Sequence, residues 1–477
     1  MTLLYDQVAD DLARAIRQGT LRSGDRMPSV RGLARQRDVS IATVLQAYVR
    51  LENDGLIEVR PRSGHFVRSR SASPVAEPRA ARLNLTPATV SVTPGVRALM
   101  QSMRDTSVIP LGTAQISPAL LPIRQLNRML AAIAREMQDV GATYGDVAGV
   151  PTLRRQMSKR SVAWGLSLHE SEFVITVGAM EAIHLALRAV AKPGDAVAVE
   201  TPTYFGVLQA IEQLGMRAIE VPAVSRTGLD LDALEQVLRQ GTVKAVLASP
   251  NVSNPLGAVM SDANKERLVK LCVRYDVPLI EDDVYGDLAF DGRPRPAAHW
   301  DRDGRVLLVG SISKTLAPGY RIGWIAAGKY QERIERLKYA LTVATPPLLQ
   351  MALAEFLGNG GYERHVRKLR SHLQSQVERT RNAVIDAFPE GTRVTTPAGG
   401  FVLWVELPPN VDSYALQAAA LEEKISVAPG PVFSPRERYS NCIRLSCGFP
   451  WTERHDRAVR TLGRLTAQLA SSTRRSA

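Results

Sequence analysis

The chain has 477 residues, of which 45 % are hydrophobic and 22 % charged, and a globular protein of this length exceeds what one hydrophobic core usually supports. It has no apolar run of the ~18 residues that a membrane span needs and no secretory leader, so we expect a cytoplasmic protein without membrane segments. Its three cysteines are odd in number and lack paired ligand spacing, which argues against a disulfide framework or a metal site. The net charge of +13 is compatible with a polyanionic partner but does not identify one.

The first 70 residues predict three short helices followed by a β-hairpin. Apolar residues recur every fourth position from residue 4 to residue 16, which is typical of one helix face. Ser29 and Ser40 can each cap a further helix. The core face of the third helix would consist of Val44, Tyr48 and Leu51. Two apolar segments, 56–59 and 65–67, then flank a Pro-Arg-Ser-Gly turn, and the whole pattern predicts a winged helix-turn-helix.

Residues 24–67, GDRMPSVRGLARQRDVSIATVLQAYVRLENDGLIEVRPRSGHFV, resemble the DNA-binding domain of the GntR regulator family. The resemblance implies a domain over residues 1–69 that binds double-stranded DNA, with its third helix in the major groove. The implied base readers are Ser40, Ala42, Thr43 and Gln46. The implied phosphate contacts are Arg31, Arg35, Arg62 and His65. The family often has an arginine at the start of this helix, where this chain has Ile41-Ala42, and the alternative is a small protein-binding module.

Residues 70–108 change in composition and predict a linker. Serine, alanine, proline and arginine predominate, and the apolar periodicity is lost. A short helix is expected within Ala88–Met103, and the rest should be semi-extended where the prolines fall. This basic segment could lie along DNA, but a slack linker is the favoured interpretation.

From residue 109 to residue 475 helices and strands alternate. The predicted strands are 197–200, 217–221, 244–249, 278–281 and 306–310. The clearest helices between them are 181–191, 231–239 and 262–275. This order predicts an α/β domain with a mostly parallel sheet covered on both faces. Residues 361–470 begin with a long helix, continue through a strand at 401–407, and predict a second, smaller α+β domain.

Lys314 is the candidate reactive residue of this region. It follows a buried strand, and loss of hydration there disfavours the ammonium form, so that the free amine could condense with an aldehyde. Ser311, Ser313 and Arg321 offer hydroxyl groups and a guanidinium to a phosphate. An aldehyde together with a phosphate suggests pyridoxal 5′-phosphate (PLP). An ordinary surface lysine after a strand is the alternative, and other segments must decide.

Further polar and aromatic residues end the neighbouring predicted strands, where ligands of such sheets bind. The backbone N–H groups that open the helix at residue 178 could hold a phosphate, and Tyr204 could stack on a pyridine ring. Asp282 could pair with a protonated pyridine nitrogen, while Asn254 and Tyr285 could reach the phenolic oxygen.

The order of these motifs resembles the fold-type I aminotransferases over about residues 110–470, and this implies the fold of PLP-dependent transferases. Lys314 would form the Schiff base, and Asp282 would hold the pyridinium. Tyr144 matches a tyrosine that reaches the phosphate of the neighbouring subunit, which implies a homodimer, and Arg444 matches an arginine that binds an amino-acid carboxylate. The implied cofactor site consists of Tyr144, Gly178, Ala179, Met180, Tyr204, Asn254, Asp282, Tyr285, Ser311, Ser313, Lys314 and Arg321. Met180 departs from the polar residues common in the phosphate turn.

Joined in this order, the two halves resemble the MocR subfamily of GntR regulators. The resemblance implies a PLP-dependent DNA-binding transcriptional regulator whose aminotransferase-like domain senses an amino-acid or vitamin B6-type effector. An active aminotransferase that carries a DNA-binding head is the alternative, because Lys314, Asp282 and Arg444, which match residues used in transamination, are all present. A third possibility is a DNA-binding protein whose large domain binds another metabolite and no PLP.

Overall fold

The computed structural model describes residues 4–17, 20–21, 25–54, 56–60, 64–67, 76–91, 94–102 and 105–475. The chain divides into two compact units, Met1–Pro74, here called the head, and Val75–Ala477, here called the large unit. Each unit has hydrophobic clusters of its own.

The head contains the helices α1 (Leu4–Arg17), α2 (Val30–Arg37) and α3 (Ile41–Asn53) and the strands β1 (Ile57–Arg60) and β2 (Gly64–Val67). Both predicted serine caps are present, since Ser29 Oγ accepts the Gly32 N–H at 3.1 Å and Ser40 Oγ accepts the Thr43 N–H at 3.0 Å. The core face of α3 is buried as its spacing predicts. β1 and β2 pair in antiparallel fashion, so the winged helix-turn-helix prediction is confirmed.

The first segment of the large unit differs from the slack linker expected over residues 70–108. From residue 76 onward its described part packs on the rest of the large unit, where a strand β3 (Ala88–Thr89) pairs with Ala218 and Arg217, and a helix α4 (Pro94–Ser102) follows. Leu83 and Leu85 pack against the same core. These apolar residues are too sparse to produce a helical or strand period, and their burial depends on sites on the large unit that are distant in sequence.

The other helices of the large unit are α5 (Ile123–Glu136), α6 (Pro151–Ala163), α7 (Gly178–Val190), α8 (Phe205–Gln213), α9 (Leu231–Arg239), α10 (Asp262–Arg274), α11 (Gln331–Thr342), α12 (Pro347–Gly358), α13 (Gly361–Ala387), α14 (Ser413–Glu422) and α15 (Glu453–Arg475). The other strands are β4 (Phe173–Val177), β5 (Ala196–Thr201), β6 (Arg217–Val224), β7 (Gly228–Leu229), β8 (Val243–Ala248), β9 (Leu279–Asp282), β10 (Val306–Ser311), β11 (Ile322–Ala326), β12 (Arg393–Val394), β13 (Val402–Glu406), β14 (Ala428–Pro429) and β15 (Cys442–Ser446). The predicted elements are found at their places with ends shifted by a few residues at most.

The principal sheet has the strand order β3-β6-β5-β8-β9-β10-β11-β4, with β7 beside β6. The five neighbours from β6 to β10 run parallel, and β11 runs antiparallel to β10 and to β4. The mostly parallel sheet is therefore confirmed. Because parallel strands end at one edge of a sheet, the residues that follow β4, β5, β8, β9 and β10 are brought together there.

A second sheet, of order β12-β13-β15-β14, is antiparallel and packs with α13, α14 and α15. It forms the smaller α+β region that the sequence predicts after residue 361. Its strand β15 carries Arg444, which is 1 % exposed. None of the helices within the described ranges is both long enough and apolar enough to cross a membrane.

Candidate functional site

A cavity of about 610 Å³ lies at the carboxyl ends of the parallel strands. The predicted residues that line it are Ala179, Met180, Tyr204, Asn254, Asp282, Tyr285, Ser311, Ser313, Lys314, Arg321 and Arg444. These residues come from separate segments of the chain, so their convergence is a property of the sheet topology.

Lys314 projects into this cavity from the turn after β10. Its Nζ donates a hydrogen bond to the Ala114 carbonyl oxygen at 2.7 Å. Loss of hydration lowers the pKa of Lys314 to about 8, helped by the positive charges of Arg444 and Arg321 and opposed by Asp282. An amine with this pKa is neutral in roughly a tenth of the molecules at pH 7, compared with fewer than about one in a thousand for an ordinary lysine.

Asp282 ends β9 beside the lysine. Burial raises the pKa of its carboxyl group to about 6, while the Val284 N–H, which donates to Oδ1 at 3.2 Å, acts in the opposite direction. At pH 7 the group is therefore mostly ionised, in surroundings that hydrate its charge poorly. A cationic N–H donor in the cavity would be bound well by this carboxylate.

Arg321, which lines the cavity, and Gly178 beside it form a position suited to a phosphate. Gly178 opens α7 directly after β4 with φ +75°, and a Cβ on it would clash with Arg321 Nη2. Arg321 Nη1 also donates to Ser313 Oγ at 3.2 Å, and Ser311 Oγ donates to the same oxygen at 2.9 Å. The guanidinium thus lies against a helix N-terminus beside two hydroxyl groups, a combination of donors that favours an anion.

Arg444 brings a second positive charge to the cavity. Its Nη1 donates to Asn254 Oδ1 at 3.2 Å and its Nη2 donates to the Gly112 carbonyl oxygen at 2.7 Å, while Nε is buried without a partner among the described residues. Burial lowers the pKa of Arg444, and no carboxylate in the described part of the chain forms an ion pair with it. A buried guanidinium without an anionic neighbour predicts a ligand that supplies one.

Two tyrosines complete the walls around these charges. Burial raises the pKa of Tyr204 and of Tyr285, so both phenols remain protonated at neutral pH. Tyr285 is hydrogen-bonded to Asn254, and its ring lies 5.8 Å from Lys314 Nζ. Asn254 and Tyr285 can therefore present an amide and a phenol to one ligand oxygen.

The sequence did not predict that the segment after the head forms part of the cavity wall. Leu99 and Met100 of α4 line the cavity, as do Thr113, Ala114 and Gln115. The one local signal was Gly112, where a Cβ would lie 2.8 Å from Leu99 Cδ1. An isolated glycine in an irregular segment does not by itself predict such an approach.

A buried polar network behind the cavity was also missed. Tyr362 Oη of α13 donates to Asp287 Oδ2 at 2.6 Å and lies 3.1 Å from Thr315 Oγ1. His365 Nε2 lies 2.6 Å from the Thr315 carbonyl oxygen. Arg293 Nε pairs with Asp287 at 3.3 Å. The network holds the turn that carries Lys314 against α13, the long helix that also packs in the smaller region.

Two predicted cofactor residues are not among those that line the cavity: Gly178, which lies against the Arg321 guanidinium, and Tyr144. Tyr144 lies between α5 and α6 and is 91 % exposed. A side chain so placed cannot act on the site of its own chain in this arrangement, and the role implied for it in a neighbouring subunit stays a prediction.

The predicted DNA-contacting residues lie on the head. Those exposed to solvent are Arg31, Arg35, Ser40, Ala42 and Gln46. Ser40 and Thr43 are engaged in the α3 cap, where their hydroxyl oxygens lie 2.8 Å apart. The His65 ring packs edge-on against Tyr48, with 4.8 Å between centroids. Arg62 lies outside the described residues.

Comparison with known proteins gives two family matches. Residues 4–67 match the bacterial regulatory proteins of the gntR family, and residues 107–462 match aminotransferase class I and II. The HTH-type transcriptional regulator YjiR of Escherichia coli is 38 % identical over 460 residues, which is 96 % of this chain and 98 % of the relative. The regulator YdcR of the same organism is 38 % identical over 97 % of this chain and 98 % of its own length.

Solved structures resemble the large unit. The α-aminoadipate aminotransferase LysN of Thermus thermophilus is similar with a TM-score of 0.74 and 27 % identity, over 80 % of this chain and 96 % of that one. The kynurenine aminotransferase of Pyrococcus horikoshii has a TM-score of 0.74 and 28 % identity, over 79 % and 95 % of the two chains.

Proposed function

The chain belongs to the GntR regulators of MocR-like architecture, and we propose that its aminotransferase-like domain binds PLP and makes DNA binding respond to an effector. One observation carries the proposal: the partly neutral Lys314 amine lies in one cavity with Asp282 and Arg444, neither of which has an ion-pair partner there among the described residues. As a regulator of genes the protein would act in the cytoplasm.

The residues present fit PLP. Arg321 and the α7 N-terminus at Gly178 offer donors to a phosphate, and Asp282 offers a carboxylate to a pyridinium. When bound, PLP supplies an aldehyde that a lysine amine captures with loss of water and a ring that withdraws electrons. The solved LysN complex contains N-(5′-phosphopyridoxyl)-L-leucine, and this supports the same ligand chemistry in the present cavity.

The remaining cavity residues would orient the cofactor and the effector. Asn254 and Tyr285 would donate to the ring oxygen, and Tyr204 would stack on the ring. Arg444, held by Asn254 and the Gly112 carbonyl, would bind the carboxylate of an amino-acid effector through its outward face. This requirement for a carboxylate follows from a buried positive charge that no described side chain neutralises.

The segment that leads from the head provides a route from the cavity to DNA. Its helix α4 lines the cavity through Leu99 and Met100, and its strand β3 is part of the sheet. An effector that displaces α4 would alter the path of the chain that connects the large unit to the head. The effect on DNA binding can be only as large as the difference in effector affinity between the two arrangements.

We would test the proposal by absorption spectroscopy of the purified chain with PLP, before and after borohydride reduction, for wild type and Lys314→Ala. We expect a band that borohydride converts in wild type and that Lys314→Ala lacks. Operator binding by Lys314→Ala should lose its response to candidate amino acids. Lys159→Ala, which removes an exposed lysine of α6, is the matched control and should behave as wild type. A wild-type protein that gives no band with added PLP would contradict the proposal.

The alternative, an aminotransferase that carries a DNA-binding head, is favoured by the same convergence of Lys314, Asp282 and Arg444. Steady turnover of an amino acid and an oxo acid by the purified protein, together with amino-acid-independent DNA binding, would support it. A spectral change without turnover would support the regulator.

A further inference from the structure

The outward surface of α3 is unusually apolar for a helix that reads DNA. Ile41, Leu45 and Val49 are 50 %, 46 % and 55 % exposed, and their spacing of four residues places them in one stripe. Ala42 and Gln46 are exposed beside this stripe. The first two turns of the outward face therefore present methyl groups and one amide.

Three other polar side chains of this region, those of Ser40, Thr43 and Arg50, are engaged within the head. Arg50, the one basic residue of α3, pairs with Asp6 at 2.7 Å, with Asp10 at 2.8 Å and with Asp54 at 3.8 Å. Ser40 Oγ accepts the Thr43 N–H and lies 2.8 Å from the Thr43 hydroxyl. Along α3, every residue of which is described, neither a guanidinium nor an ammonium group is left to read a base.

Positive charge is available beside α3 for the DNA backbone. Arg31 and Arg35 lie one turn apart on α2, are exposed, and form no ion pair with any described residue. Arg37 differs from them, because it is paired with Asp11 at 2.8 Å. Arginine contacts to phosphates position a protein and carry no sequence information, so with Arg31 and Arg35 on the backbone the bases are left to α3.

We infer that α3 reads A·T base pairs, with thymine methyl groups against Ile41, Ala42 and Leu45 and an adenine bound by the Gln46 amide, and that it reads no guanine. The inference rests on the proposed function and deepens it. In the major groove, thymine alone offers a methyl group, adenine offers the acceptor and donor pair that matches a glutamine amide, and guanine is read mostly by arginine or lysine.

The test begins with selection of duplexes from a randomised pool by the full-length protein. We expect A·T pairs at the positions protected by α3. Deoxyuridine would then replace thymine at each of these positions, which removes the methyl group and leaves base pairing intact. Affinity should fall about fourfold for each methyl group that α3 contacts, the loss expected for one methyl-sized apolar contact.

Variants of the head test whether α3 is responsible for the loss of affinity with deoxyuridine. Leu45→Ala should abolish the deoxyuridine effect at one position, and Gln46→Ala should lower discrimination for adenine about tenfold at another. Leu4→Ala removes a leucine that is 52 % exposed on α1 and is the control, with wild-type discrimination. Arg35→Ala should weaken binding to all sequences about equally and reduce its salt dependence.

Guanine required at the positions protected by α3, or affinity that is insensitive to deoxyuridine there, would overturn the inference while leaving DNA binding intact. Absence of any salt-sensitive DNA binding by the full-length protein would instead overturn the proposed function, and the inference with it. The two failures are therefore distinguishable in one set of measurements.

Discussion

Arg444 is the residue whose surroundings most constrain the ligand. Its neighbours include three neutral groups: Asn254, the Gly112 carbonyl and the Phe433 ring, 5.1 Å from its guanidinium carbon. A buried cation held by dipoles and an aromatic face is stabilised further by any anion that reaches it. At the other end of the cavity, Arg321 against Gly178 provides a second, more exposed anion site.

Gly178→Ala is the sharpest residue-scale test of the phosphate site. The new Cβ would clash with Arg321 Nη2, so the guanidinium must move away from the α7 N-terminus. We expect PLP affinity to fall about tenfold or more, since a charge-assisted hydrogen bond contributes about 1.5–3 kcal/mol. The measurement is PLP titration followed by fluorescence.

Gly194→Ala is the matched control for that variant. Gly194 also has a positive φ, +89°, but a Cβ there meets nothing within 4 Å. It shares the backbone strain and lacks the clash, so it should retain wild-type affinity for PLP. Equal losses in the two variants would show that strain, and not Arg321, is responsible.

At the scale of elements, the functional segments are placed by strand ends and by caps. Lys314 follows β10 and Asp282 ends β9, and these strands are parallel neighbours. In the head, α3 begins at a serine cap, and the same cap removes Ser40 and Thr43 from the groups free to contact bases. The Ser40 cap thus stabilises α3 and also leaves fewer of its polar side chains free to contact bases.

Ser40→Ala should destabilise α3 locally by about 1 kcal/mol, because the Thr43 N–H and hydroxyl lose their partner. Hydrogen–deuterium exchange resolves this by peptide, and we expect about fivefold faster exchange in α3 with unchanged exchange in α2. Ser29→Ala, which removes the α2 cap, should give the converse pattern. Unchanged α3 protection in Ser40→Ala, or an altered base preference with protection intact, would contradict the assignment of Ser40 to the cap.

At the scale of the whole molecule, Tyr144 is a predicted cofactor residue that the large unit of a single chain leaves outside the cavity. Tyr144 is exposed and does not line the cavity that it is predicted to assist. A homodimer in which each Tyr144 reaches the other subunit's phosphate would account for this exposure, and such assembly remains our proposal.

Mixed dimers test whether Tyr144 acts on the site of the other subunit. A dimer of one Tyr144→Phe chain and one Lys314→Ala chain would have one intact site if Tyr144 acts across the interface, and none if it acts within its own chain. We expect borohydride-trapped PLP at half the wild-type amount, bound with wild-type affinity. Dimers of wild type with Lys314→Ala set the reference, and roughly tenfold weaker binding in the mixed dimer would refute action across the interface.

The order of elements, the winged head, the mostly parallel sheet and the residues at the strand ends could all be predicted from the amino-acid sequence. Hydrophobic period and turn residues are local, and parallel strands bring their ends to one edge whatever the details of packing. Lys314, Asp282 and Asn254 could therefore be grouped from sequence reasoning alone.

Which segments close the cavity depends on tertiary packing that the sequence pattern did not predict. Residues 76–91 and 94–102 pack on the rest of the large unit, α4 reaches the cavity, and Arg444 contacts Asn254, 190 positions away in the chain. Tertiary contacts also divide the arginines of the head into paired Arg37 and Arg50 and unpaired Arg31 and Arg35 among the described residues. The physical reason is that burial and charge pairing depend on surfaces that distant segments form together. The local periodicity of the sequence does not predict these surfaces.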